Sequence, residues 1–155
     1  MELSTHEKYM KEALIEARKA FDADEVPIGA VIVKDDVIIA RGHNRRETDR
    51  DPTAHAEMVA MRHAAGYLGG WRLLGCGIYV TIEPCPMCAG AAIQARLNMI
   101  CYGAEDPKAG CCGTFYNLPE DDRFNHNAKV ISGILRGECA EIMKEYFADK
   151  RKKSG

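Results

Sequence analysis

Two short motifs constrain the fold of this chain more than any other feature of its sequence. His55-Ala56-Glu57 stands near the start of one segment of helical character, and Pro84-Cys85-Pro86-Met87-Cys88 opens another. A Cys-x-x-Cys at a helix start places both sulfurs on one side, where the helix dipole favours their thiolate form. If both motifs bind the same metal ion, the N-termini of two helices must face a single point.

The candidate metal ligands are His55, Cys85 and Cys88, residue types that suit zinc. Three protein ligands leave one tetrahedral position open for water, which is typical of a catalytic zinc site. Zinc lowers the pKa of that water to about 7, so hydroxide is available at neutral pH. Glu57 points away from the ligand direction but is near enough to reach the water. We therefore expect one Zn²⁺ per chain, with Glu57 as the catalytic proton shuttle.

The length and composition indicate one globular domain over residues 1–155. The chain is long enough to bury most of its apolar surface in one core, and its 46% hydrophobic content argues against disorder. No stretch approaches the roughly 20 apolar residues of a membrane-spanning helix, and the N-terminus does not resemble a secretory signal. The sequence therefore predicts a cytoplasmic protein without a membrane partner.

Cysteine usage and charge narrow the function further. Seven cysteines are an odd number for a disulfide framework, and we expect those outside the motif to be reduced core or turn residues. They are Cys76, Cys101, Cys111, Cys112 and Cys139. A net charge of -2 does not indicate a general nucleic-acid binder, so any contact with RNA must come from local patches.

The hydrophobic pattern predicts alternating helices and strands. Ser4 and Glu7 form a capping box for the first helix, and Thr53 is the predicted N-cap of the second. Gly66 and then Gly69-Gly70 are the predicted stops of the second helix. The predicted helices cover residues 4–21, 54–65, 86–95 and 138–150. The predicted strands cover residues 28–34, 37–41, 77–82, 99–103 and 129–135.

This order of elements predicts an α/β fold around a mixed sheet of roughly five strands. Asp35-Asp36 separates two β-branched runs, which indicates a hairpin whose strands are buried on both faces. The strand, helix and strand over residues 77–103 indicate a parallel crossover. Residues 104–127 lack periodicity and are a candidate substrate loop. Residues 150–155 form a basic tail, for which disorder is one alternative.

The order His-x-Glu followed by Pro-Cys-x-x-Cys is that of the zinc deaminases of nucleobases. Taken singly, each part has a plainer reading: Cys-x-x-Cys as core thiols or a redox pair, His55 as a structural residue, Glu57 as a solvated helix charge. The order, the spacing and the two prolines together favour a catalytic zinc site. Zinc-activated water would then replace an amine on a base, converting adenosine to inosine.

Further blocks of sequence resemble the bacterial tRNA-specific adenosine deaminases from about Thr5 to Lys150. The matching blocks are residues 25–31, 51–57, 79–85, 87–91, 102–104 and 106–110. The resemblance implies a three-layer α/β/α cytidine-deaminase-like fold and a homodimer. It also implies conversion of adenosine to inosine at the wobble position of a tRNA anticodon loop.

The resemblance implies a substrate site as well. It assigns Asn44 to the base pocket, where a carboxamide can donate and accept along a purine edge, although a turn residue is the alternative. Tyr146, Phe147 and the basic tail remain open between structural roles and RNA contact. The candidate substrate-binding residues are Ile28, Asn44, Ala56, Asp106, Lys108 and His126.

Two other functions remain open from the sequence. A deaminase of a free base or nucleoside, such as guanine or cytidine, would use the same metal site and differ only outside the motif. A zinc-binding module without catalysis is the other alternative. Glu57 and the missing fourth protein ligand argue against that module.

Overall fold

A computed structural model describes residues 3–154, and it consists of a five-stranded sheet with helices on both faces. The helices are α1 (Leu3–Asp22), α2 (Ala56–Leu68), α3 (Pro86–Gln94) and α4 (Arg136–Ser154). The strands are β1 (Gly29–Lys34), β2 (Val37–His43), β3 (Cys76–Ile82), β4 (Met99–Ala104) and β5 (Lys129–Ile131), and Leu118–Glu120 is a short 3₁₀ helix. None of these helices is long and apolar enough to cross a membrane.

The strands follow the order β2-β1-β3-β4-β5, and the sheet is mixed. Strand β1 is antiparallel to both β2 and β3, whereas β3, β4 and β5 run parallel to one another. Helix α3 connects β3 to β4. The predicted α/β class and the parallel strand, helix and strand unit are therefore confirmed.

Alternating side chains of the central strands pack into two separate hydrophobic cores, one on each face of the sheet. In β1, Ala30 and Ile32 pack into the core beneath α2 and α3, whereas Val31 and Val33 pack into the core beneath α1 and α4. This alternation is the two-residue period of a β-strand. The result is the three-layer α/β/α arrangement that the resemblance implied.

The hairpin between β1 and β2 is confirmed, but β2 is not buried on both faces. Asp35 and Asp36 both adopt left-handed backbone conformations, with φ of 50° and 62°, as a tight two-residue hairpin requires. Strand β2 lies at the edge of the sheet, and Val37 is 57% exposed. An unbroken apolar run therefore does not distinguish an edge strand from a central one.

The predicted boundaries of α1 and α2 are wrong at three positions. Ser4 lies inside α1 and is not its N-cap. Thr53 precedes α2 without capping it, because its N–H and hydroxyl both donate to the Asp51 carboxylate at 2.8 and 2.7 Å. Helix α2 begins after His55 and continues past Gly66, the first predicted stop. It ends before the second predicted stop, at Gly69, whose φ of 77° is left-handed.

The C-terminal boundaries also differ from the prediction. Strand β5 ends at Ile131 because Gly133 and Leu135 take left-handed conformations, with φ of 81° and 52°, which a strand does not accommodate. Helix α4 begins at Arg136 and continues to Ser154, so it includes the basic residues 150–153. Gly155 lies outside the described residues.

Two glycines allow helices to approach the sheet closely. A Cβ added at Gly29 in β1 would overlap the Ala13 carbonyl oxygen of α1, and one at Gly42 in β2 would overlap the Ala56 carbonyl oxygen of α2. The second contact fixes the first turn of α2 against the end of β2. Gly66, in contrast, has open space where a Cβ would lie.

Replacing Gly29 by alanine should lower the free energy of unfolding by about 1–3 kcal/mol or more, because the backbone of α1 must move away from the sheet. Gly66→Ala is the matched control in α2 and should raise the free energy of unfolding by about 0.5–1 kcal/mol, because alanine has the higher helix propensity. Urea denaturation measures both values. Equal stability of the two variants would contradict this packing.

Candidate active site

Strand direction brings four segments of the chain to one edge of the sheet, the edge formed by the carboxyl ends of β3 and β4. Strand β1 begins where β2 ends, since Gly29 pairs with His43. Strands β3 and β4 both end at that edge, since Ile82 pairs with Ala104 in parallel. The residues that precede β1 and those that follow β2, β3 and β4 are therefore neighbours, although they are far apart in sequence.

His55 and Cys85 are the N-cap residues of α2 and α3 at this edge. Both have extended backbones, with ψ of 154° and 176°, and neither side chain caps its own helix. Pro86 follows at the start of α3, where a proline loses no needed N–H. Both N-cap side chains are consequently available to a ligand, and the positive ends of two helices meet between them.

The imidazole of His55 and the sulfurs of Cys85 and Cys88 form one compact group. Nδ1 of His55 lies 3.6 Å from Sγ of Cys85 and 3.5 Å from Sγ of Cys88, and all three atoms lie within 4.8 Å of one another. Tetrahedral zinc with bonds of about 2.0 Å to nitrogen and about 2.3 Å to sulfur requires separations of about 3.5 Å. The geometry fits such an ion, and no fourth metal-binding side chain of residues 3–154 joins the group.

The pKa values of the two cysteines are shifted in opposite directions. The hydrogen bond from Cys88, followed by that with His55, lowers the pKa of Cys85 to about 4, although burial opposes this shift. The same bond and burial raise the pKa of Cys88. The negative charge is therefore favoured on Cys85, and a bound cation would take the place of the proton on Cys88.

Glu57 lies in the first turn of α2 and is 5% exposed. Burial raises its pKa to about 7, and the negative charge of nearby Cys85 acts in the same direction. The carboxylate does not belong to the compact group of possible metal ligands. Glu57 is thus beside the group without joining it, which is the position expected of a residue that exchanges protons with a ligand of the metal.

A cavity of about 690 Å³ opens onto His55, Glu57 and Cys85. His126 does not belong to it: its Nε2 lies 2.7 Å from the Leu97 carbonyl oxygen, and the ring is held there. The structure therefore separates His126 from the other predicted substrate-binding residues. The predicted residues that do line the cavity are Ile28, Asn44, His55, Ala56, Glu57, Cys85, Asp106 and Lys108.

Asn44 lines the cavity, and part of its carboxamide is engaged in hydrogen bonds within the protein. Its Nδ2 donates to the Val26 carbonyl at 3.3 Å, and its Oδ1 accepts from the Arg46 N–H at 3.1 Å. These bonds hold the amide in one orientation and leave one N–H and one oxygen lone pair of the carboxamide. Asn44 is therefore a turn residue that also lines the cavity.

Helix α4 supplies a wall of the cavity, of which the sequence analysis considered only Phe147 as a possible contact of the substrate. Ala140, Met143, Lys144 and Phe147 line it, at the i, i+3, i+4, i+7 spacing of one helical face. This face could have been read from the sequence, but the pattern alone does not distinguish core from cavity. Tyr146, in contrast, is buried, and its hydroxyl donates to the Asp24 carbonyl at 3.2 Å.

Two buried glutamates hold the loops that form the other walls. Glu25 accepts hydrogen bonds from the N–H groups of Glu47 and Thr48 and from the Thr48 hydroxyl at 2.7 to 3.1 Å. Glu83 does the same for the segment that contains Asp106 and Thr114. Desolvation acts to raise the pKa of Glu83, but the hydrogen bonds outweigh it and lower that pKa. Neither glutamate was a predicted site residue.

Comparison with known proteins identifies the family. The family model of the MafB19-like deaminases matches residues 4–151. The chain belongs to this deaminase family. It is therefore an enzyme that acts on a C–N bond.

Relatives of this deaminase include enzymes that act on tRNA and one that acts on guanine. The tRNA-specific adenosine deaminase of Bacillus subtilis (strain 168) is 52% identical over 151 residues, which cover 97% of this chain and 94% of that protein. A structure from a study of A-to-I editing by tRNA:A34 deaminases is 46% identical, covers 87% of this chain and 98% of that chain, and has a TM-score of 0.84. The structure of guanine deaminase from Bacillus subtilis is 47% identical over 64% of each chain, with a TM-score of 0.62.

These comparisons confirm the resemblance to the tRNA-specific adenosine deaminases and the cytidine-deaminase-like fold. The match to a tRNA deaminase structure extends over nearly all of that chain, whereas the match to guanine deaminase covers about two thirds of either chain. The likeness of this deaminase to the tRNA enzymes is therefore the more complete one.

The compact group predicts a tightly bound divalent metal ion, about one per chain. Cys88→Ala removes one of the three ligand atoms and should reduce the bound metal to a small fraction of that amount. Cys101→Ala is the matched control, because Cys101 is a fully buried cysteine in β4 outside the group. Metal analysis after gel filtration measures both, and full metal content in Cys88→Ala would remove this residue from the ligands.

Proposed function

We propose that this deaminase uses zinc to convert adenosine to inosine at the wobble position of a tRNA anticodon loop. The observation that carries the proposal is the compact group of His55, Cys85 and Cys88, of which His55 and Cys85 line one cavity together with the buried Glu57. The 52% identity to a tRNA-specific adenosine deaminase supports the choice of substrate. Water and adenosine are consumed, and inosine and ammonia are released.

His55, Cys85 and Cys88 would hold the zinc ion. Two sulfurs and one imidazole nitrogen are soft and borderline donors that favour zinc over magnesium or calcium. When bound there, zinc supplies a water molecule of lowered pKa as the nucleophile at neutral pH. The absence of a fourth ligand among the described side chains supports a catalytic ion and argues against a structural module.

Glu57 would carry the protons. It would accept one proton from the attacking water and deliver it to a ring nitrogen of the base. It would then accept the proton of the hydroxyl group added to the base carbon and deliver it to the amine, which leaves as ammonia. Its pKa of about 7, raised by burial, suits a group that must both accept and donate at neutral pH. The carboxylate and the metal site share the first turn of α2, which fixes the distance between them.

The adenine base would lie between Ile28, Ala56 and the side chain of Asn44, all of which line the cavity. Apolar contacts suit the faces of a base, and a carboxamide suits its edge. Asp106 accepts hydrogen bonds from the N–H groups of Lys108 and Ala109 at 2.9 and 3.2 Å, so the turn they form is rigid. This turn would support the base from the side opposite Asn44.

An RNA loop fits the outer part of the cavity better than a free nucleoside does. Three cations, Arg46, Lys108 and Lys144, line it and are suited to the phosphates of flanking nucleotides. A loop nucleotide is partly unstacked already, so its base enters the site at lower cost than one from a duplex. Contacts to the flanking nucleotides can then orient the reacting carbon.

We also propose a homodimer located in the cytoplasm, where a tRNA substrate is found. An apolar groove of about 580 Å³ lies between α2 and α3 and includes Met58, Met61 and Trp71. Trp71 is 55% exposed, and Arg72 lies against its ring, with Cζ 4.2 Å from the ring centre. Exposed apolar patches are typical of protein interfaces, and a second copy of the chain would cover this groove.

Replacing Glu57 by glutamine tests the proton shuttle. The variant should keep its metal, because Glu57 is not a ligand, and should lose activity by about 10²- to 10⁴-fold or more. Metal content and turnover on an anticodon stem-loop are measured on the same preparation. A near-normal rate with full metal content would show that another group carries the protons.

The substrate is tested by comparing kcat/KM on four molecules. These are an anticodon stem-loop with adenosine at the wobble position, the same loop with cytidine there, free adenosine and free guanine. The adenosine loop should be preferred over each of the others by at least about 10²-fold, because only it offers both the base and the flanking contacts. Equal turnover of free guanine would favour the guanine deaminase alternative and leave the zinc chemistry intact.

A further inference from the structure

Glu83 is a buried carboxylate for which the proposed chemistry has no use. It follows β3, shortly before Cys85, and is only 2% exposed. Its carboxylate accepts hydrogen bonds from the N–H groups of Asp106, Cys112 and Thr114 at 3.1, 3.0 and 3.0 Å. A further bond comes from the hydroxyl of Thr114. One side chain thus holds three residues of a segment that has no regular secondary structure.

Gly110 shows that the segment is built around this carboxylate. A Cβ at Gly110 would overlap the carboxylate carbon and both carboxylate oxygens of Glu83. The backbone of Gly110 is not left-handed, so its conformation does not require glycine. The space taken by the Glu83 carboxylate is therefore the reason that a side chain is excluded at this position.

The segment held by Glu83 is also a wall of the cavity. Asp106, Pro107, Lys108 and Ala109 line it. The same segment also contacts the residue before Cys85, because the Cys111 N–H donates to the Pro84 carbonyl at 3.0 Å. The residues around Glu83 therefore connect the wall that would contact the base to the strand end that carries Cys85.

We propose that Glu83 is a positioning residue that sets the distance between residues 106–114 and Cys85. The inference rests on the proposed function, since it assumes that a base is deaminated in this cavity. Glu83 acts through the segment and does not exchange protons with the substrate, which distinguishes it from Glu57. Misplacing a reacting group by about 1 Å can lower the rate by about 10²-fold. The hydrogen bonds from Glu83 to this segment, which act as a tether, can therefore affect the rate as much as a direct contact with the substrate.

Glu83→Gln tests the tether while keeping the size of the side chain. The amide group replaces one carboxylate oxygen and cannot accept the bonds from backbone N–H groups. With the zinc-loaded full chain and the stem-loop substrate, kcat should fall by about 10- to 100-fold. KM should change by less than about threefold, because contacts to flanking nucleotides remain. Zinc content should be unchanged, and hydrogen exchange of residues 104–116 should become faster.

Glu16→Gln is the matched control. Glu16 is a buried carboxylate on α1, 3% exposed, that accepts from Lys19 and Arg41 at 2.8 and 3.4 Å and lies outside the cavity. The kcat of the Glu16→Gln variant should equal that of the original chain. Thr114→Val removes only the hydroxyl donor to Glu83, and should lower kcat in the same direction by less than about tenfold.

A normal kcat and normal hydrogen exchange in Glu83→Gln would overturn the inference. So would a lower melting temperature with an unchanged kcat per zinc-loaded molecule, because the role would then be structural alone. If Glu83→Gln does not fold, Thr114→Val decides, and an unchanged kcat there overturns the proposal. If the original chain does not act on the stem-loop, the proposed function fails, while hydrogen exchange still reports whether the tether exists.

Discussion

The direction of the strands is the constraint on which the candidate active site depends. Strand β1 runs opposite to β3, whereas β3 and β4 run parallel, so two strand ends and the turn between β2 and α2 reach one edge of the sheet. Ligand sites of α/β proteins form at the carboxyl ends of parallel strands for the same reason. Residues that are distant in sequence are thus neighbours before any side chain in the site makes a contact.

At this edge the N-termini of α2 and α3 provide candidate metal ligands. An N-cap side chain normally accepts a hydrogen bond from its own helix. His55 and Cys85 do not, and their side chains face each other across 3.6 Å. The unsatisfied N–H groups and the positive dipole ends of α2 and α3 favour the thiolate of Cys85 there. The local cost of an uncapped helix is offset by the stabilisation of a negative ligand atom.

Buried carboxylates organise the irregular segments around the site. Loops cannot satisfy their backbone N–H groups within a regular ladder, and a buried carboxylate can accept several of them at once. Glu25 does so for the loop after β2, and Glu83 for the loop after β4. Among the described residues, no buried side-chain nitrogen or oxygen lacks a partner. The loops that form walls of the cavity are therefore held in place by hydrogen bonds although they are neither helices nor strands.

The sequence by itself determined the ligand chemistry, since the spacing within Cys85-x-x-Cys88 and the position of Glu57 after His55 are local properties of helix starts. It did not determine where α2 begins, because the preference of Thr53 for an N-cap and its bond to Asp51 look alike in sequence. Only the tertiary structure decided that α4 forms a wall of the cavity and that a carboxylate after β3 holds the loop after β4. These contacts join residues far apart in the chain, and local patterns of hydrophobicity and turn residues carry no information about which distant segment a side chain will meet.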